Sequence, residues 1–462
     1  MNIPDELRPE HYGYKIGQNI GPYVNNIIEL AGTCYLSPGV HLLGRNDSNK
    51  SVGNIYSDSI ITWGWGDRKG GVQLIGEKGW DQTSIKLVDR VHTKWIYGSV
   101  APYVMMMQPK YDESCDNCVI RGITFDGNHQ NNAESSTIDG IRLRGQNTLL
   151  DSCKFVNFGV GKDNAAEAFD VVLCPIDLAT QGPTVQNCIF TQPGQKSGAS
   201  PGFVCEHTLC ATSGHGTKII NNTFRDCLFD PATQQSPMHG VTLSSASGAL
   251  VAYNHFINFQ GGAFYVDSFS NDGVQIVDND GTDVWNFIQL TVKQWGDPNQ
   301  ISLHANYEIA RNIVRLANGG APYRWDLPAG NPTGFLGYCF DPSLDRKAYP
   351  GFRNVRAHDN KVTLGYWKNP LGALVESTKL VSYWGDPVGS DQINVDASNT
   401  FISTLPPAPV VVHDPAPPVS TTTAKLIGPK SRRQFLVAFD GSNHLTVAPA
   451  GSPQTKIIHS DD

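Results

Sequence analysis

Long apolar runs are missing from this chain. No stretch of about 18 apolar residues occurs, so no membrane-spanning helix is expected. Clustered Lys and Arg are missing too, and the formal net charge is −8. Phosphate backbones are held by clustered cations, so nucleic acid is excluded as an expected partner. Met1 to Glu10 is polar and acidic rather than apolar, so it is not read as a secretory signal. No segment reads as a long charged amphipathic helix. The ten cysteines form no disulfide framework by spacing, and Cys115 and Cys118 make a lone CxxC without a partner pair. Buried free thiols acting as small hydrophobes are the better expectation than a zinc site.

What the chain has is glycine, 46 of them in 462 residues, together with frequent Asn and 40% hydrophobic residues. That balance favours many short strands joined by turns. A pattern recurs along the middle of the chain. It appears as Ile120 to Phe125, Leu150 to Phe155, Val185 to Phe190, Ile220 to Phe224 and Val251 to Phe256. Weaker copies follow at Ile276 to Asp280, Ile309 to Val314 and Val355 to Val362.

Aligned, the copies give two columns. The first is Ile123, Cys153, Cys188, Asn222, Asn254, Asn279, Asn312 and Asn360. The second, two residues on, is Phe125, Phe155, Phe190, Phe224, Phe256, Gly281, Val314 and Val362. Successive members stand 25 to 48 residues apart, as expected of one fixed coil with loops of different length. Coils stacked about 4.8 Å apart let an inward Asn bond the Asn above and below it. The Phe column would stack rings inside. An alternating strand precedes each copy: Gly140 to Arg144, Asp170 to Leu173, Gly240 to Leu243, Ala263 to Val266 and Phe287 to Leu290.

The expected fold is therefore all-β, a right-handed parallel β-helix, with a Pro-rich linker and a small C-terminal β tail. Residues 1–30 are expected as a lead-in and cap, with a short helix near Tyr23 to Leu30. Residues 31–400 are expected as the solenoid, loop-rich from about 318. Residues 401–424 read as a Pro- and Thr-rich linker, and 425–462 as a β arm suited to oligomerisation.

Gly32 to Leu43 (GTCYLSPGVHLL) resembles the opening coil of the pectate-lyase-like β-helix superfamily. Val72 to Leu87 and the VIRGITFDGN run at 119–128 are similar to that superfamily as well. The chain departs from its pattern at Ser37-Pro38 and at His41. The resemblance implies a polysaccharide-recognising, tailspike-like protein that binds, and in some members cleaves, a cell-surface or cell-wall glycan. Its alternatives are a non-catalytic structural or decoration protein of a virion or cell surface, and a secreted lyase or epimerase. It further implies an extracellular or virion-associated location, a homotrimer, and other virion proteins as partners. Neither cofactor nor metal is expected.

The residues that would carry chemistry lie on the outward face of the strand before each ladder copy. If Ile141 and Leu143 point in, Arg142 and Arg144 point out, and so by alternation do Thr242, Tyr265, Asp267 and Gln289. Glu206 and Asp267 could form the carboxyl pair of a glycosidase. A lyase would instead need a base, Tyr265 or His239, beside a cation from Arg142 or Arg144. Trp325 and Trp367 could stack on sugar rings. Asp278, Asp280 and Asp283 lack the glycine and closing Glu of a calcium loop and read as turn aspartates.

Overall fold

The computed structural model describes residues 3–44, 61–63, 70–89, 103–109, 116–128, 131, 137–143, 145–158, 172–173, 182–191, 203–205, 216–227, 240–243, 246–259, 262–266, 271–292, 303–318, 334–340, 351–368, 374–382, 392–405, 424–427, 434–439, 445–449 and 456–457. The chain divides into two compact units, residues 1–405 and 406–462.

The first unit is built from three long sheets, and within each the paired strands run parallel. The first sheet runs from Thr33–Leu36 to Ile393–Val395, the second from Gly39–Leu43 to Thr400–Ile402, and the third from Ile61–Trp63 to Thr378–Ser382. Each coil contributes one strand to each sheet in turn, as Val119–Arg121, Thr124–Asp126 and Thr137–Arg142 do. This is the expected right-handed parallel β-helix. The last rung ends at Ile402, inside the segment expected as linker.

Each sequence copy contains two strands where one was read. The break falls on the residue before the ladder position, which adopts positive φ in coil after coil: Ser152, Asn187, Asn221, Tyr253, Asp278, Arg311 and Asp359. A left-handed residue turns the chain sharply, and Asn and Asp tolerate that conformation best among side-chain-bearing residues. At the first such turns Gly122 serves, with φ of 71°. Its neighbour Gly76 has no room for a side chain, since a Cβ there would lie 2.1 Å from the Gly122 carbonyl oxygen.

The residue after the turn points inward and makes the ladder. Asn222 Nδ2 donates to Asn254 Oδ1 at 3.0 Å, Asn254 to Asn279 at 2.9 Å, Asn279 to Asn312 at 3.0 Å and Asn312 to Asn360 at 2.9 Å. Asn399 closes the series, accepting from Asn360 at 2.7 Å, and was not recognised in the sequence. Each Oδ1 also accepts the backbone N–H of the preceding rung, as Asn279 does from Asn254 at 3.0 Å. The cysteines fit the same column for a stated reason. Cys188 Sγ donates to the carbonyl two residues back, Gln186, at 3.2 Å, as Asn254 Nδ2 does to Ala252 at 3.1 Å. Burial pushes the Cys188 and Cys34 thiols above the ordinary range, so they stay protonated and inert.

Beside the ladder, Phe125, Phe155, Phe190, Phe224 and Phe256 stack with centroids 5.3, 4.9, 4.8 and 4.8 Å apart. The column breaks at Gly281 because Phe287 and Val284 take the space. A Cβ at Gly281 would lie 3.1 Å from Val284 and 3.6 Å from the Phe287 ring.

Helix α1 (Gly21–Ala31) closes the N-terminal end. Pro22 starts it, Gly32 ends it in a left-handed cap, and Val24, Ile27 and Ile28 bury one face. No described helix is long and apolar enough to cross a membrane. His41, where the sequence departs from the pattern it otherwise resembles, is fully buried beneath this cap. Its Nε2 donates to the Ser37 carbonyl at 2.8 Å, and Nδ1 accepts the Tyr14 hydroxyl at 3.0 Å. Burial, with Glu10 and Tyr23 nearby, pushes the Tyr14 phenol up to about 12. The folded chain therefore holds this proton more tightly than the unfolded chain, whose phenol titrates near 10. The associated stability is present below about pH 10 and lost as pH rises towards 12. Tyr14→Phe is expected to flatten the alkaline fall in melting temperature, at a neutral-pH cost of about 1 kcal/mol for the lost hydrogen bond. An unchanged alkaline limb would contradict this.

The second unit contributes four antiparallel strands, Ala424–Ile427, Gln434–Phe439, Leu445–Pro449 and Lys456–Ile457.

Candidate functional site

The strands of the third sheet carry the outward positions singled out above. Their register aligns Arg142, Leu173, Val204, Thr242, Tyr265, Gln289, Gly337 and Val381 in one column. The adjacent column, Ile141, Val172, Phe203, Val241, Phe264, Ile288, Leu336 and Leu380, turns its described members into the core. Thr242 is half-buried between fully buried Val241 and Leu243, as alternation requires of an outward residue. Arg142 and Tyr265 thus share a column, four rungs apart, which spans about 19 Å at 4.8 Å per rung.

Gln289 corrects the expectation. It holds its place in the column, yet it is completely buried, and so is every residue of Asn286–Val292. Alternation sorts the two faces of a strand but does not report what covers the outer one. Here both faces are closed, and buried His304 donates from Nε2 to the Thr291 carbonyl at 2.9 Å. The column is therefore closed at Gln289 and, on the next rung, at Gly337.

The other assigned residues are distributed unevenly. Glu206, His239, Asp267, Arg144 and Trp325 lie outside the described residues. For Arg142, Tyr265 and Trp367 the backbone is described. Trp367 sits on Tyr366–Lys368, which pairs antiparallel with Leu374–Glu376 in a separate two-stranded sheet. Cys205 and Val266, which directly precede Glu206 and Asp267, both pair with Leu243, one from either side.

Two charged groupings were not recognised in the sequence. On the first sheet and its turn, Arg311 grips Asp278 through two bonds of 2.9 Å, and Gln275 donates to Glu308 at 2.9 Å. His358 lies 3.7 Å from Glu308 and bonds Asp359 at 2.7 Å. That bond, helped by Ser398, holds the Asp359 carboxyl below the ordinary carboxylate range. On the second sheet His255 bonds Asp280, and Arg315 pairs with Asp283 at 2.9 Å. So Asp278, in the turn, and Asp280 and Asp283, on the strand Asp280–Val284, each meet a basic partner on an adjacent rung. These pairs are largely exposed, which limits each to about 0–1 kcal/mol. For Asp278, Arg311 and Asp359 the signal was positional, one residue before a ladder Asn, and for His255 and Asp280 one residue after it. Among the described residues, no group of three or more His, Cys, Asp or Glu is arranged to hold a metal.

At the N-terminal end, Asp5, Arg8, Glu10, His11, Ser37 and Glu77 line a shallow cleft. Within it Arg8 Nε donates to Glu77 at 2.6 Å and Ser37 Oγ to Glu10 at 2.5 Å.

Comparison with known proteins agrees with the architecture. Residues 112–295 match the family described as the right-handed beta helix region. No curated protein matches the sequence. Among solved structures, a tailspike protein of E. coli bacteriophage HK620 in complex with a pentasaccharide is 11% identical, with TM-score 0.50, over 86% of this chain and 67% of its own. The A-module of the mannuronan C-5 epimerase AlgE6 of Azotobacter vinelandii is 17% identical, with TM-score 0.44, over 87% of this chain and 100% of its own. The PL6 family polysaccharide lyase Pedsa3628 from Pseudopedobacter saltans is 16% identical, with TM-score 0.40, over 84% and 92%. The chain is a right-handed parallel β-helix.

Proposed function

We propose that this shaft recognises an extended polysaccharide along the outward column of its third sheet, in the manner of a tailspike. The observation that carries the reading is the register that sets Arg142, Thr242 and Tyr265 in one column beside another whose described members turn into the core. Side chains repeating every rung form a linear track, and an extended chain of repeating units is the ligand such a track fits. The tailspike protein of bacteriophage HK620, whose structure holds a pentasaccharide, shares the architecture.

Glu206 and Asp267 are assigned as the carboxyls that would cleave this glycan, with His239 and Tyr265 beside them. Their described chain neighbours, Cys205 and Val266, pair with Leu243 from either side, which places the two on neighbouring stretches of one sheet edge. Arg142, Arg144, Trp325 and Trp367 are assigned to binding. We place the protein outside the cell or on a virion, as a homotrimer, which its mass in solution checks.

A panel of polysaccharides assayed for new reducing ends and for the absorbance of unsaturated uronates tests the reading. Hydrolysis is expected, reduced by about a hundredfold or more in Glu206→Ala and Asp267→Ala. Absorbance without reducing-end hydrolysis would assign a lyase with Tyr265 or His239 as base. Binding without cleavage would leave a decoration protein, and neither binding nor cleavage would overturn the reading.

A further inference from the structure

Resting on the reading that the protein is a homotrimer, we infer that its copies meet on the outer face of the second sheet. The sheet has eleven strands, and the outward side chains of every strand are described. Four large apolar ones stand open to water: Val40 at 50%, Ile257 at 39%, Ile313 at 61% and Ile402 at 39% exposed. They lie on the first, seventh, ninth and last strands. Val156 and Ile189, half-buried, sit on the fourth and fifth. On the first sheet the outward apolar residues Val119, Leu149 and Leu250 are each partly covered. Single apolar residues scattered over a surface are ordinary, whereas a face that carries them from end to end marks a contact.

Charge and length together select a second copy as the occupant. Lys154, Arg225, Arg315 and Lys361 share the face with Asp126 and Asp280. Mixed signs do not suit a polyanion, and they do suit a protein surface bearing the same mixture. Eleven strands about 4.8 Å apart make a face about 48 Å long, and two outward residues per strand make it about 15 Å wide. That is about 700 Å² per copy, close to the roughly 800 Å² that each partner gives to a standard interface. A threefold axis along the shafts sets every rung at the height of the same rung in the next copy, so the contact runs from Val40 to Ile402. The first and second sheets are joined by the one-residue turn, with Ser152, Asn187 and Asn221 among its members. With that corner towards the axis, the second sheet of each copy lies against the first sheet of the next, a heterologous contact that closes into a ring. The third sheet stays open to the glycan.

The test is the mass in solution of the full chain, by sedimentation over a range of concentrations, for the wild type and for Ile257→Asp combined with Ile313→Asp. Both side chains are exposed within one shaft, so the pair is near neutral for the shaft itself and is read in association. Circular dichroism checks that the strands are kept, and Ile257→Ser with Ile313→Ser takes the place of the aspartates where they are not. The wild type is expected at three chain masses. The double variant is expected at one, its association weakened about a hundredfold or more by two charges placed in the contact. Thr242→Asp, on the third sheet, is expected to stay trimeric. A folded double variant that remains trimeric would overturn the inference while leaving the trimer standing. A wild type of one chain mass at every concentration would overturn the trimer on which it rests.

Discussion

Asn279→Ala is expected to destabilise the shaft by about 3–5 kcal/mol, read as a shift in the chemical denaturation midpoint. The change removes the acceptor of Asn254 N–H at 3.0 Å and Nδ2 at 2.9 Å. It also removes the donor to the Val251 and Val277 carbonyls and to Asn312 Oδ1, each at 3.0 Å. These groups are buried, and water cannot replace the lost partner, so each stranded group costs about 1–3 kcal/mol. Asn279→Cys is expected to be milder, because the cysteines at positions 153 and 188 show that a thiol reaches the carbonyl two residues back. Asn306→Gly is the control. Asn306 also bonds adjacent rungs, donating to Asp272 at 2.7 Å and accepting from Asn354 at 2.9 Å, but those bonds are exposed, and glycine keeps the left-handed turn (φ 56°), so the loss should stay within about 0.5 kcal/mol. Equal losses at Asn279 and Asn306 would contradict the ladder's role.

Phe224→Ala should cost about 3–5 kcal/mol by transfer and cavity terms together. Phe224 is fully buried, with Phe190 and Phe256 stacked at 4.8 Å on either side. The rungs above and below fix the backbone, so the void cannot collapse far. Each coil contacts only its neighbours, which also sets the coupling pattern. Phe224→Ala and Phe256→Ala should combine non-additively, whereas Phe125→Ala and Phe256→Ala should add. Ile313→Ala on the outer face, where the side chain is 61% exposed, should be close to neutral.

The interior was legible in the sequence because the same side chain recurs at one position of several successive coils, Asn from 222 to 360 and Phe from 125 to 256. Both columns emerged with their members in register, from Ile123 to Asn360 and from Phe125 to Val362. The third strand of each coil was not separated, since the break inside each copy is made by one residue of varied identity. Ser152, Tyr253 and Arg311 adopt the same turn as Asn187, and the backbone is what they share. Asn399 escaped notice because its copy lacks the upstream apolar pair, and Phe401 two residues later was the remaining signal.

The exterior was legible only in part. Alternation placed Arg142, Thr242, Tyr265 and Gln289 in one outward column, a consequence of period two and shared register. It could not foresee that Gln289 would be covered, because covering depends on chain far away in sequence. Nor could it pair His358 with Glu308, or Arg311 with Asp278, since those contacts join rungs 33 or more residues apart.

The most direct test of the central claim is amide hydrogen exchange measured with and without a polysaccharide that the panel shows to be bound. Protection is expected along the third sheet at Ile141–Arg142, Val172–Leu173, Phe203–Cys205, Val241–Leu243 and Gly262–Val266, with the first and second sheets unchanged. Protection confined to either of those sheets, or none with any polysaccharide tried, would contradict it.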